Sequence, residues 1–198
     1  MVIYLHGFGS AGNGRKFESL KKALFASEEQ DRDFPCLFLV NEFFSPNLPV
    51  SPKSAIKMLT EFIDKDSIVV GTSLGAFFSL YLSAKHPRLA GKTLALNPTA
   101  NPSVKLRRVL GENTNYVTGE TFLWTEEHLQ ELKELEDEMK DIQIVYDSSA
   151  RIAIGIYDEL TDEEEVKNFF KCNKVSKYED GHRFDNCFEQ AVEDAFWL

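Results

Sequence analysis

Gly71-Thr72-Ser73-Leu74-Gly75 is a G-x-S-x-G run set directly after the apolar stretch SIVV and directly before a helical pattern. The spacing has a chemical reason. A serine on a sharp strand-to-helix turn has its hydroxyl thrust above the sheet edge, and side chains two residues to either side would collide with backbone. The backbone N–H of Leu74, at the helix start, then points at the oxyanion formed when the serine attacks an acyl carbon. Upstream, His6-Gly7-Phe8-Gly9 follows the first apolar run. A glycine-rich loop there lets backbone approach the same oxygen, with the Phe8 N–H as second donor. This loop has a rival meaning, because Gly7-Phe8-Gly9-Ser10-Ala11-Gly12 is also G-x-G-x-x-G after a strand, the dinucleotide fingerprint. That fingerprint requires an acidic residue about 20 residues on. Here the next apolar run ends beside Glu42, well beyond that spacing. A Walker-type phosphate loop fails, since Gly14 is followed by Arg15-Lys16 rather than Lys and Ser/Thr.

A serine nucleophile needs a base. Of the four histidines, His6 reads as a brace for the glycine loop, His86 precedes a proline at a helix end, and His128 lies among glutamates as a surface residue. His182 sits in Tyr178-Glu179-Asp180-Gly181-His182-Arg183-Phe184, between the last apolar run and the last helical pattern. A parallel sheet delivers such loops to its carboxyl edge, beside Ser73. The orienting acid belongs at another strand end between Ser73 and His182. Asp158 follows the run RIAIGIY and fits, and Glu159 stands next to it. No H-E-x-x-H, paired Cys–His spacing or calcium loop occurs, so a catalytic metal is not indicated.

These residues need a scaffold that brings strand ends together. Apolar runs at Val2–Leu5, Pro35–Val40, Ser67–Val70, Lys92–Leu96, Arg151–Ile156 and Lys174–Tyr178 alternate with amphipathic helical patterns. Continuous apolar runs mark strands buried on both faces, so the expectation is an α/β fold with a mainly parallel six-stranded sheet and helices on both faces. Ser51 and Pro52 open one helix as N-cap and first turn, and Leu74 to Lys85 is a mostly apolar helix stopped at His86-Pro87. Thr161 and Glu164 read as a capping box. Phe184, Phe188, Ala191 and Ala195 form the inward face of the final helix. Residues 1–198 read as one domain, interrupted by a long segment after Asn97. It holds a loop-like stretch and a helix from Thr125 to Lys140 with Leu129, Leu132, Leu135 and Met139 inward. Residues 101–148 are expected to form a cap-like insertion, a partial lid in which Phe122, Leu123 and Trp124 supply an apolar wall for substrate. Asp141–Asp147 fits either a strand or a helix end.

With 198 residues, 43% hydrophobic and 27% charged, the chain has globular composition. Its 22 basic and 32 acidic residues leave a net charge of −10, which disfavours nucleic acid and anionic membrane as partners. Cys36, Cys172 and Cys187 are odd in number and lack C-x-x-C spacing, as in a reducing compartment. With no signal-peptide pattern at MVIYLHGFGS and no membrane-length apolar run, a cytoplasmic protein is expected. The sequence leaves room for a homo-oligomer.

Taken together, the His6–Ser10 loop, the Gly71–Gly75 turn, Leu96-Asn97-Pro98, Tyr157-Asp158-Glu159 and Gly181-His182-Arg183-Phe184 resemble the small YqiA-like bacterial esterases of the α/β-hydrolase superfamily. The likeness spans nearly the whole chain, including Thr118-Gly119-Glu120 and Trp124-Thr125. It implies a trimmed α/β-hydrolase fold that begins at the oxyanion strand. It further implies cofactor-free hydrolysis of a small-molecule acyl ester or acyl thioester through an acyl-enzyme. By the same resemblance Ser73, His182 and Asp158 act as nucleophile, base and orienting acid, because the family carries an aspartate followed by a glutamate at Asp158-Glu159. One departure is Asp180-Gly181-His182, where Gly-Asp-His is the commoner order. The alternatives are a nucleotide-binding α/β domain using Gly7, Gly9 and Gly12, a catalytically silent hydrolase fold serving as an interaction module, and amide hydrolysis on the same residues.

Overall fold

The computed structural model describes residues 1–25, 42–141 and 150–196. Its strands are β1 (Val2–Leu5), β2 (Phe43–Phe44), β3 (Ile68–Thr72), β4 (Thr93–Leu96), β5 (Gly111–Thr114), β6 (Thr121–Trp124), β7 (Arg151–Gly155) and β8 (Ser176–Tyr178). The helices are α1 (Arg15–Phe25), α2 (Pro52–Phe62), α3 (Leu74–Lys85), α4 (Pro102–Lys105), α5 (Glu126–Asp141), α6 (Glu163–Phe170) and α7 (Phe188–Phe196). Six strands form one sheet in the order β2-β1-β3-β4-β7-β8, and every pairing in it is parallel. The expected strand at Pro35–Val40 and Cys36 lie outside the described residues, and the strand beside β1 is Phe43–Phe44.

Both faces of this sheet are covered, which is why its strands read as unbroken apolar runs. Ile3, Leu5, Val69, Ala95 and Ile152 point to one side, where they meet α2, α3, α5 and α6. Val2, Tyr4, Val70, Leu94, Leu96 and Ala153 point to the other, against α1 and α7. Helix α3 is apolar all round and accordingly buried almost throughout. Ser51 caps α2 by accepting the Ser54 N–H, with Pro52 in the first turn. No helix among the described residues is long and apolar enough to cross a membrane.

Several local expectations are corrected. The N-cap of α6 is Asp162, which accepts the Glu165 N–H, and not Thr161, whose own N–H is drawn to Asp158 Oδ1. The last helix begins at Phe188. Phe184 lies in the preceding turn at φ 55, although its side chain is buried with those of Phe188, Ala191 and Ala195. The loop-like stretch after Asn97 contains α4 and the antiparallel hairpin β5–β6. The strand GENT has no apolar alternation to announce it. Its hairpin is closed instead by Asn115, whose Oδ1 accepts from Val117 and Thr118, and by Gly119 at φ 77. Helix α5 turns its expected inward face, Leu129, Leu132, Leu135 and Met139, into the cluster that α2 and α3 share. The undecided stretch after Asp141, residues 142–147, lies outside the described residues.

Candidate active site

Ser73 joins β3 to α3 at φ 54 and ψ −118, a backbone state that L-residues adopt only when their surroundings enforce it. The flanking glycines show the enforcement. A Cβ on Gly71 would overlap the carbonyl of Gly75, and one on Gly75 would overlap the carbonyls of Leu5 and His6. The Ser73 N–H donates to Leu96 O across the sheet, while its carbonyl accepts from Ala76 and Phe77 to start the helix. The hydroxyl therefore stands at the carboxyl edge of the central strands.

His182 comes to that edge on the loop after β8. Its Nε2 lies 3.1 Å from Ser73 Oγ and its Nδ1 lies 2.8 Å from Asp158 Oδ2. With Nδ1–H donating to the carboxylate, Nε2 keeps a lone pair facing the serine. The Asp158 side chain is fully buried. Burial alone would push its carboxyl up, but hydrogen bonds from His182, Thr161 and Leu160 prevail and hold it below the ordinary aspartate range. Glu159 is exposed on the wall of the same cleft, and among the described residues it forms no hydrogen bond or ion pair with His182. Three side chains from three strand ends thus form one chain of contacts.

Two further residues hold the histidine loop in place, and spacing alone did not single them out. Asn97, fully buried at the end of β4, donates Nδ2 to the carbonyls of Gly181 and His182, each at 3.0 Å. Its Oδ1 accepts the Gly155 N–H at 2.8 Å, so one side chain ties the ends of β4 and β7 to the loop after β8. Asp180 is buried too and accepts N–H groups from Gly181, Asp185, Asn186 and Cys187, which gathers that loop around one carboxylate. The order Asp180-Gly181-His182 therefore has its own structural use. Thr99 also approaches, with Oγ1 3.4 Å from Ser73 Oγ.

On the opposite side of Ser73 runs the loop after β1. A Cβ on Gly7 would lie 3.2 Å from Ser73 Cβ and 3.7 Å from Ser73 Oγ, so this backbone packs against the serine. Among the described residues the backbone N–H groups of Phe8 and Leu74 find no acceptor. His6 braces the loop: its Nδ1–H donates to Gly7 O at 2.8 Å and its Nε2 accepts the Leu48 N–H at 3.1 Å. Burial pulls its imidazole below the ordinary histidine range. The Gly12 N–H is taken by Asn47 Oδ1 at 2.9 Å.

The hairpin docks on this loop through Tyr116 N–H to Gly9 O and Asn115 Nδ2 to Ser10 O. Strand alternation then divides the three residues expected to form an apolar wall. Phe122 and Trp124 face inward, with ring centroids 5.4 and 5.0 Å from that of Phe8. Leu123 faces the other way, 61% exposed, and does not line the site. Phe122 and Trp124 join Leu48, Phe78, Phe8 and Leu74 around a pocket of ≈ 80 Å³. His128 is not a free surface residue, since its ring stacks on Trp124 with centroids 4.9 Å apart and its Nδ1 accepts the Thr125 N–H. Ser73, His182 and Thr99 open into a larger cleft of ≈ 810 Å³. Among the described residues no three His, Cys, Asp or Glu side chains are grouped to hold a metal ion.

Solved structures share this arrangement of strands and helices. Est1E from Butyrivibrio proteoclasticus superposes with a TM-score of 0.66 at 14% identity, over 99% of this chain and 85% of its own. The alpha/beta hydrolase domain-containing protein 10 from mouse gives 0.62 at 15% identity, over 96% and 85%. The thioesterase domain from the curacin biosynthetic pathway gives 0.60 at 12% identity, over 100% and 90%. The fold is that of the α/β hydrolases, with six parallel strands among the described residues. Within that class the chain belongs to the family described as "Uncharacterised protein family (UPF0227)", whose model matches residues 1–195.

Proposed function

We propose that this chain is a serine hydrolase that cleaves carboxylic esters or thioesters of small molecules through an acyl-enzyme. The observation that carries the reading is the contact chain Ser73 Oγ–His182 Nε2–Asp158 Oδ2, beside two backbone N–H groups, of Phe8 and Leu74, that have no acceptor among the described residues. His182 Nε2 takes the serine proton as Oγ attacks the acyl carbon, and Asp158 holds the imidazole and stabilises the imidazolium that forms. The carbonyl oxygen becomes an oxyanion, for which the N–H groups of Phe8 and Leu74 are the donors. As the tetrahedral intermediate collapses, His182 gives its proton to the departing alcohol or thiol. Water, activated by the same histidine, then releases the acid and regenerates Ser73.

Phe122 and Trp124, which line the ≈ 80 Å³ pocket behind Phe8 and Leu74, supply the apolar wall for the acyl group. That one structural neighbour is named a thioesterase domain supports keeping thioesters in the substrate class. The test pairs labelling by a fluorophosphonate with turnover of p-nitrophenyl esters and acyl thioesters, in the wild type and Ser73→Ala. The substitution should abolish labelling and turnover while the melting curve stays cooperative. Equal labelling of both proteins overturns the assignment.

A further inference from the structure

The cleft at Ser73 reverses the charge of the molecule around it. The chain as a whole carries 32 acidic against 22 basic residues. The walls of the ≈ 810 Å³ cleft carry Arg15, Lys16, Lys105, Arg108 and Arg183 against only Glu159 and Asp185. Not all of this positive charge is open to a ligand. Arg15 and Lys16 both engage Asp185, at 2.6 and 3.1 Å, and Lys105 engages Glu165 at 2.6 Å. Arg108 and Arg183 have no carboxylate partner among the described residues. They reach the cleft from different segments: Arg108 from the turn Leu106–Val109 after α4, Arg183 from the loop immediately after His182. The Arg183 guanidinium carbon lies over the Tyr116 ring, 6.0 Å from its centroid, and its N–H groups make no hydrogen bond among the described residues.

We infer that this cleft takes esters or thioesters whose leaving group bears an anion, phosphate or carboxylate, held between Arg108 and Arg183. The inference rests on the hydrolase reading of Ser73. The two cavities distinguish the two halves of such a substrate. The ≈ 80 Å³ pocket behind Phe8 and Leu74 has no charged residue in its lining and suits a short apolar acyl group. The cationic cleft on the other side is left for the alcohol or thiol portion. Guanidinium forks match carboxylate and phosphate oxygens in pairs. A cleft of one sign in a protein of the other also draws anions toward the serine, an effect that salt screens.

The test uses three butyrate esters of nearly one size, made from 2-methoxyethanol, glycolate and 2-hydroxyethyl phosphate. They are neutral, carboxylate-bearing and phosphate-bearing in turn. The readout is the ratio of kcat/KM for each charged ester to that for the neutral one, which general damage to the fold does not move. At low salt the wild type should favour a charged ester about tenfold, mainly through KM, and high salt should bring the ratio toward one. In Arg108→Gln/Arg183→Gln the low-salt ratio should fall to about one, whereas Arg108→Lys/Arg183→Lys should keep part of it. Preference for the phosphate ester alone assigns a phosphate site, and similar preference for both charged esters assigns a general anion site. Equal kcat/KM for all three esters in the wild type, or a ratio that survives the double glutamine variant, overturns the inference while leaving the hydrolase intact. Failure of the hydrolase reading looks different, as absent fluorophosphonate labelling and no turnover of any ester. In that case titration with 2-hydroxyethyl phosphate itself decides: binding that the double glutamine variant loses retains the anion site, and no binding removes it.

Discussion

Removing the Asn97 side chain should disable the site without touching any group that meets substrate. In the folded chain Asn97 Oδ1 accepts from Gly155 N at 2.8 Å, and Nδ2 donates to Gly181 O and His182 O at 3.0 Å. Asn97→Gly deletes all three bonds and tolerates the backbone, which sits at φ 46, a region open to Asn and Gly but costly for alanine. A buried N–H left without an acceptor costs about 1–3 kcal/mol, and the two carbonyls each lose a weaker contribution of about 0.5–1.5 kcal/mol. A total of roughly 3 kcal/mol is a large share of the ~5–15 kcal/mol that holds an ordinary domain. At about 2–4 °C per kcal/mol for a chain of this size, Tm should fall by roughly 6–12 °C. The functional cost is separate. His182 sits in the loop that Asn97 anchors, and misplacement by about 1 Å costs on the order of 10² in rate. The assays are thermal denaturation, steady-state kinetics and the rate of fluorophosphonate labelling. Expected are a fall in kcat of about 10² with KM little changed, and labelling slowed in proportion. Asn97→Asp separates the two ends of the side chain. It keeps the acceptor for Gly155 but sets an oxygen against two carbonyls, so it too should lose kcat. If Asn97→Gly keeps both full kcat and a Tm within 2 °C (roughly 1 kcal/mol) of the wild type, the bonding argument is wrong.

Two more outcomes follow from the geometry. Asp158→Asn should lose at least ~10³ in kcat, and Glu159→Gln less than ~10, by the precedent of other serine triads; kinetics showing the reverse order would exchange their roles. Acid should weaken the brace beneath the glycine loop, because His6 is held neutral by burial, below the ordinary histidine value of 6.5. In the window below that value the unfolded chain binds the extra proton and the folded one resists it. Stability is therefore fully present above the ordinary value and declines as pH falls toward the depressed one. Protonation of Nε2 would also eject the Leu48 N–H. Tm measured from pH 7 to 5 should fall less steeply in His6→Gln than in the wild type, and equal slopes would refute the assignment. His86, also lowered by burial and by Arg88, is present in both proteins and cancels in the comparison.

What the sequence determined by itself are the features whose physics is contained within a few neighbouring residues. Gly71 to Gly75 carry their own turn, since the steric need for two glycines around Ser73 is expressed at fixed spacing. Ser51-Pro52 and His86-Pro87 mark helix ends because capping and proline sterics act within one turn. Unbroken apolar runs foretold a sheet covered on both faces for the same kind of reason. The tertiary structure alone decided features that depend on which strand lies beside which. Asn97 works only because β4, β7 and β8 are neighbours, and nothing around Leu96-Asn97-Pro98 announces a partner 84 residues away. Leu123 left the apolar wall because β6 exists as a strand only when paired with β5, and pairing turns alternate side chains to opposite faces. The sign of the cleft was hidden likewise. Arg108 and Arg183 lie far apart in an acidic chain, and only the fold sets them around one cavity.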